Sequence, residues 1–423
     1  MRKVLVTFPN AWDAKQLESC RSSWDGRYEV AFGDPTDEGC PWDFDIMSYI
    51  ERVVAENEGR LEGIASSSDY PGATVAGAVA TRLGLPGSPP ESVIRCSHKY
   101  YSRLAQRESV PEATADFELL DPRQPDAAPQ LGFPFFIKPV KGAFSVMSRR
   151  IDDAGQLRAF LSRPSVAEFL ESYLHIFNQL VGGLTDLEID GRYFLVEELL
   201  RGEQVTVEGF TQNGGVEIVG IVDSVVHPDT GSFVRFDYPS RLGDDIQRRL
   251  ADVAERVMTH LGLESSFFNI EMIHDPASGR IGIIEINPRI CGQFGDLYQK
   301  VDGVNSYEMV LELACGARPR RLRRQGPHAV ASSFPLRIYQ PARVASAPDD
   351  ALIREVEREF DDTLIWSECT TGQNLTDFES IEDGLSIRYA VINTGSSSQD
   401  ELMARFEAIV ARLNYSFEYV GIQ

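Results

Sequence analysis

The chain opens with short apolar runs separated by polar stretches of helical spacing. "KVLVTFP", "YEVAFGD" and "LEGIASSSD" read as strands, and the spacing between and after them predicts helices over about 45–56 and 73–83. Alternation of this kind implies a small parallel sheet of Rossmann-like type, ending at the Gly- and Pro-rich "LGLPGSPP". A helix over 91–109 follows, then the strand "GFPFFIKPV", a long helix over 166–181 and the strand "RYFLVEELL". "QVTVEGFTQ" and "GVEIVGIVDSVV" are two more strands, turned back on each other at Asn213-Gly214-Gly215. A helix over 244–261 leads into the hairpin "SFFNIEMIHDPASGRIGIIEIN". The basic segment "RPRRLRRQG" reads as a solvated or phosphate-near surface. After it come the strands "HAVASSFPLRIY" and "LSIRYAVINTG" and the helix "SQDELMARFEAIVARL".

The hairpin changes character along its second strand. After Ile281, Ile283 and Ile284 come Glu285, Asn287 and Arg289, two apart and therefore on one face. With the loop centred near Ser278, Glu271 lies directly across from Glu285, and Asn269 shares the face of Glu271. Like charges directly opposed across a sheet destabilise it, so a divalent cation is the economical neutraliser. Two carboxylates and an amide oxygen are hard ligands that suit Mg²⁺, which keeps its remaining positions for water and substrate phosphates. Arg289 could hold a phosphate oxygen or a developing anion. The bland alternative is a solvated polar face that stops at Asn-Pro.

Composition narrows the partners. The 423 residues suffice for roughly three domains. A net charge of −23 argues against nucleic acid or an anionic membrane as partner. The six cysteines show no CxxC pair, which reads as reduced thiols in a cytoplasmic protein. No run approaches the ~20 apolar residues of a membrane span.

Two further features bear on the hairpin. Lys138 ends the apolar strand "FPFFIKPV", where a lysine needs an anionic partner. Glu197 and Glu198 end another apolar strand, and Lys99 is a further candidate cation. In this order the motifs resemble the ATP-grasp superfamily, particularly its carboxylate–amine ligases, over about Leu83 to Gly316. The features that carry the resemblance are a lysine after "GLPGSPPE", a lysine in "FPFFIKP", the "VEE" segment and the final "EINPR" with Glu271 upstream.

That resemblance implies an α/β, α+β multi-domain chain. A Rossmann-like domain (1–97) would precede an ATP-grasp central region with the phosphate loop (98–204). A catalytic subdomain with the metal hairpin (205–318) and a small α+β region (319–423) would follow. Lys99 and Lys138 would contact ATP phosphates, with Lys141 and Ser145 in the covering loop. Glu197, with the backbone around Glu198 and Leu200, would grip the adenine. Glu271, Glu285 and Asn287 would bind one or two Mg²⁺ ions, with Mn²⁺ as a substitute, and Arg289 would stabilise an acyl phosphate and the tetrahedral intermediate.

Two positions depart from the family pattern. The loop "KPVKGAFSVMSRRI" is glycine-poor, and Gln204 stands where a ribose-binding glutamate is expected. The reaction implied is coupling of a carboxylate, as in an amino acid, to an amine, with release of ADP and phosphate. Arg235 is a candidate for a substrate carboxylate, Gly292 allows close approach of backbone to ligand, and Asn269 borders the same space. The loop "SSSDYPG" lies at a strand's carboxyl end, where open α/β sheets bind ligands. Alternatives are a carboxylase or kinase-like member of the superfamily, or a nucleotide-binding protein that does not catalyse. Small molecules are the expected partners, and a homodimer is left open.

Overall fold

A computed structural model of the chain describes residues 1–37, 39–124, 129–142, 145–378 and 385–419. At its amino-terminal end, Arg2–Val6 is the middle strand of a parallel three-stranded sheet, flanked by Tyr28–Phe32 and Gly63–Ala65. The helix Ala11–Ser19, absent from the expectations above, begins with a reciprocal cap. The Asn10 side chain accepts from the Asp13 N–H, and the Asp13 carboxylate accepts from the Asn10 N–H. Beyond Gly63–Ala65 the chain enters the SSSDYPG loop, which carries Asp69.

The helix expected over 91–109 is two helices, Pro90–Ser97 and Lys99–Ser109, broken at His98 (φ −84°, ψ 101°). Tertiary bonds override the helical pattern here. The Lys99 N–H donates to the Val140 carbonyl at 2.7 Å, and the buried His98 ring meets the Asp190 carbonyl at 3.1 Å. The break starts the second helix at Lys99. The helix expected over 166–181 is likewise interrupted, by a π-turn at Phe169–Tyr173 between Pro164–Glu168 and His175–Leu184.

A four-stranded sheet forms the small central layer, in the order Phe117–Leu120, Phe194–Glu197, Phe135–Pro139, Arg149–Ile151. Its first and last strands, FELL and RRI, are four and three residues long, too short to show a period in the sequence pattern. The larger sheet has eight strands in the order Ile281–Asn287, Ser266–His274, Glu203–Gln212, Gly215–Val226, Phe233–Tyr238, Val330–Ile338, Ile387–Ser396, Leu364–Ser367. The turn after Gln212 has two residues, Asn213 (φ 53°) and Gly214 (φ 72°), the left-handed pair that matches the twist of a tight hairpin. The helix Asp244–Leu261 lays Leu250, Val253, Ala254, Val257, Met258 and Leu261 onto this sheet in one apolar core. Because Val330–Ile338 pairs with Phe233–Tyr238, the sheet continues across residues 318 and 319.

The hairpin at the sheet edge positions the site. Asn269 faces Asn287 and Glu271 faces Glu285, the register counted from a loop centred on Ser278. On the loop side the register slips by one, Met272 facing Ile283. This bulge leaves Ile284 out of the ladder, and its carbonyl accepts from Arg103 at 2.9 Å and Lys138 at 3.0 Å.

Candidate active site

The end of the hairpin brings two carboxylates face to face in a cleft whose lining includes Asp69, Lys99, Arg103, Glu285 and Asn287. Burial, followed by the charge of Glu285, pushes the Glu271 carboxyl up to about 8. Burial also acts to raise Glu285, yet Lys99 and Lys138 hold it below its usual value. The two carboxyls titrate as a pair, with the first negative charge favoured on Glu285, which Lys99 and Lys138 face, and the second ionisation held up by burial and the like charge. Lys99 Nζ sits 3.1 Å from Glu285 Oε2 and also donates to the Gly142 carbonyl at 3.0 Å. Gln204 Nε2 donates to Glu271 Oε2 at 2.9 Å.

Lys138 and Glu197 are both buried and joined at 2.7 Å, with Arg103 on the second oxygen of Glu197. Burial lowers Lys138, offset in part by Glu197. Burial alone would raise Glu197, but Arg103 and Lys138 outweigh it and keep it ionised. Two cations on one buried carboxylate leave positive charge to spare beside the Ile284 bulge. Glu198 points elsewhere, to Arg280 at 2.6 Å, and its N–H bonds the Asp116 carbonyl. Leu200 packs on Gly282, where a Cβ would come within 2.9 Å of Leu200 Cδ2.

The other expected residues fall in distinct places. The ammonium of Lys141 is buried against Asp69 at 2.7 Å and lies over the rings of Tyr70 and Phe177, so it ties the segment after Pro139 to the amino-terminal layer. Asp69 is held down to about 2; burial would raise it, but Lys141 and Arg289 prevail. Ser145 is exposed, with φ 58°, while residues 143 and 144 of the same loop lie outside the described residues. Arg235 is engaged by Asp237 at 2.7 Å and by Met403 Sδ at 3.2 Å. Gly292 lies against Tyr307 and Trp12. Arg289 sits near Asp69, Glu285 and Glu271 and donates to the Ile290 carbonyl at 3.2 Å. Of the basic segment after Gly316, Arg318 and Arg321 pair with Glu217.

Three residues were missed in the sequence. Arg103 reads there as one more charge on an amphipathic helix, and Asp69 lies in the SSSDYPG loop, which the sequence places at a ligand-binding strand end without singling it out. Glu208 lies inside an apolar strand pattern, and an acid in such a setting is itself a signal. It is fully buried and accepts from Asn269, the Cys291 N–H and the Tyr298 hydroxyl at 3.1, 2.6 and 2.7 Å.

Residues 131–296 match the profile of the ATP-grasp domain. The chain carries an ATP-grasp domain. Its whole length superposes on an L-amino acid ligase from Bacillus licheniformis with a TM-score of 0.72, at 15% identity and covering 100% of this chain and 99% of that one. A carboxyaminoimidazole ribonucleotide synthase from Aspergillus clavatus, complexed with ATP, superposes with a TM-score of 0.68 at 13% identity, covering 97% and 98% of the two chains. These likenesses establish a shared fold. In sequence, the carbamoyl phosphate synthase large chain of Thermoanaerobacter pseudethanolicus is 22% identical over 249 residues, which are 58% of this chain and 21% of that protein. The match thus spans about a fifth of the curated relative.

In ATP-grasp terms the cleft lies between the small central sheet, with Lys138 and Glu197, and the hairpin edge of the large sheet. Its donor set fits a hard divalent cation: two opposed carboxylates that repel without one, and an amide beside them. Among the described residues no group of three or more His, Cys, Asp or Glu side chains that could hold a metal is found. All six cysteines are free thiols, and among the described residues no helix is long and apolar enough to cross a membrane.

Proposed function

We propose that this chain is an ATP-dependent ligase that activates a carboxylate, that of an amino acid, as an acyl phosphate and couples it to an amine. The observation that carries the reading is the opposed pair Glu271 and Glu285 with Asn287 beside it, Arg289 within electrostatic reach of both carboxylates, and the cations Lys99 and Lys138 at the same strand end. Glu271, Glu285 and Asn287 would hold Mg²⁺, which supplies neutralisation of phosphate charge when bound. Lys99 and Lys138 attract the phosphate oxygens, and Glu197, fixed by Arg103 and Lys138, shapes the nucleotide end of the cleft.

A carboxylate oxygen of the substrate attacks the terminal phosphorus of ATP, and ADP leaves. The amine nitrogen then attacks the acyl carbon, the C–O bond to phosphate breaks, and the nitrogen loses a proton to solvent. Arg289, which donates to the Ile290 carbonyl, would stabilise the oxyanion of that step. The protein's contribution is positioning and electrostatics. The L-amino acid ligase among the structural neighbours supports the choice of an amino acid as the activated carboxylate.

The test is ADP release from Mg·ATP with pooled amino acids and amines, deconvoluted by product mass. ADP formation that needs both a carboxylate and an amine, and disappears in Glu285→Ala, is the expected result. Turnover driven by bicarbonate, or by an alcohol in place of the amine, would overturn the assignment.

A further inference from the structure

Glu208 lies one strand in from the metal-binding hairpin, and nothing in the reaction above uses it. Its Oε1 accepts from the backbone N–H of Cys291 at 2.6 Å, and a backbone N–H can only donate. The same oxygen faces the Asn269 side chain at 3.1 Å, so Asn269 must turn its NH₂ group toward Glu208. Its carbonyl oxygen then points the other way, to the NH₂ group of Asn287 at 3.4 Å. That last link is long, but the flipped amide of Asn287 would set two carbonyl oxygens against each other at this separation. Asn269, Asn287 and Glu208 are all buried.

We propose that Glu208 and Asn269 are positioning residues that fix the amide of Asn287, so that its oxygen and not its NH₂ group is offered to the cation. An amide ligates through oxygen alone, and a freely flipping amide would present the wrong group part of the time. The Cys291 contact has a second effect: it anchors the backbone two residues beyond Arg289 to the same carboxylate. The inference rests on the reading of Glu271, Glu285 and Asn287 as the cation-binding row.

The experiment is Mn²⁺ binding to the full chain, followed by electron paramagnetic resonance with β,γ-methylene-ATP present. Asn269→Ala should weaken Mn²⁺ about tenfold, the usual size of such outer-sphere effects. Glu208→Gln should stay within about twofold, because its amide oxygen still meets Cys291 and Asn269 while its NH₂ group turns to the Tyr298 oxygen. In an Asn287→Asp background, Asn269→Ala should change Mn²⁺ binding less than about twofold, since two equivalent carboxylate oxygens need no orienting. A merely structural role for Asn269 would weaken binding equally in both backgrounds, and that result overturns the proposal. So does wild-type binding by Asn269→Ala, or by Asn269→Ser should the alanine variant fail to fold. Glu285→Ala separates the two levels of argument. If it binds Mn²⁺ as the wild type does, the cation row falls and the relay with it. If it loses Mn²⁺ while Asn269→Ala does not, the relay alone falls.

Discussion

Replacing Glu271 by Gln should make the ligand-free protein more stable while removing its response to Mg²⁺ and nucleotide. Glu271 and Glu285 face each other across the hairpin, and directly opposed side chains in a sheet stand about 5 Å apart. At an effective dielectric of about 20, two unit charges at that separation repel by about 3 kcal/mol. Gln204 can keep its hydrogen bond to the amide oxygen that the substitution introduces, so little is lost in return. The gain depends on pH. In the folded chain Glu271 holds its proton up to about 8, against 4.5 for an unperturbed glutamate. Between these values the unfolded chain has released a proton that the folded one retains, so wild-type stability falls as pH rises through the window by up to about 1.4 kcal/mol per unit. Glu271→Gln escapes that loss. Denaturant unfolding followed by tryptophan fluorescence should show the variant within about 1 kcal/mol of wild type at pH 5 and about 4 kcal/mol more stable at pH 8. With Mg²⁺ and a non-hydrolysable ATP analogue at a hundred times its dissociation constant, wild type should gain about 2.7 kcal/mol and the variant almost nothing. A variant less stable than wild type at pH 8, or a gain that does not change with pH, would refute the reasoning.

Two further predictions follow from buried charge. His98 is pushed down to about 4 by burial, so below 6.5 the unfolded chain binds a proton that the folded one refuses, and stability falls as pH drops through that window. Between pH 7 and pH 4 the wild type should lose about 3 kcal/mol more than His98→Phe in denaturant titrations, and equal losses would show that His98 does not titrate this way. Arg103→Met removes one of the two cations on Glu197 and a donor to the Ile284 carbonyl. It should lower the unfolding free energy by about 3–5 kcal/mol, and a change below 1 kcal/mol would mean that Lys138 alone suffices.

Much of this arrangement was legible in the sequence because its period was regular. The opposed pairs of the hairpin follow from counting outward from Ser278, and a two-residue alternation placed Glu285, Asn287 and Arg289 on one face. The count failed where the chain inserted a residue: the bulge at Ile284 leaves no signature in an all-apolar run. Helical periodicity likewise ran straight through His98, because the break is caused by distant partners, the carbonyls of Val140 and Asp190. Strands such as Arg149–Ile151 were invisible for the opposite reason, being too short to show any period. Gln204, read by resemblance as a weak ribose contact, donates to Glu271 in the fold. A glutamate at that position would add a third carboxylate to the opposed pair.

The central claim, acyl phosphate formation in the cleft, is tested most directly by oxygen transfer. Amino acids carrying ¹⁸O in their carboxylates would be incubated with Mg·ATP, an amine pool and the purified chain, and the nucleotide and phosphate released would be weighed by mass spectrometry. The account predicts ADP together with phosphate that carries one ¹⁸O atom. Label recovered in AMP, or ADP accompanied by unlabelled phosphate, would contradict it.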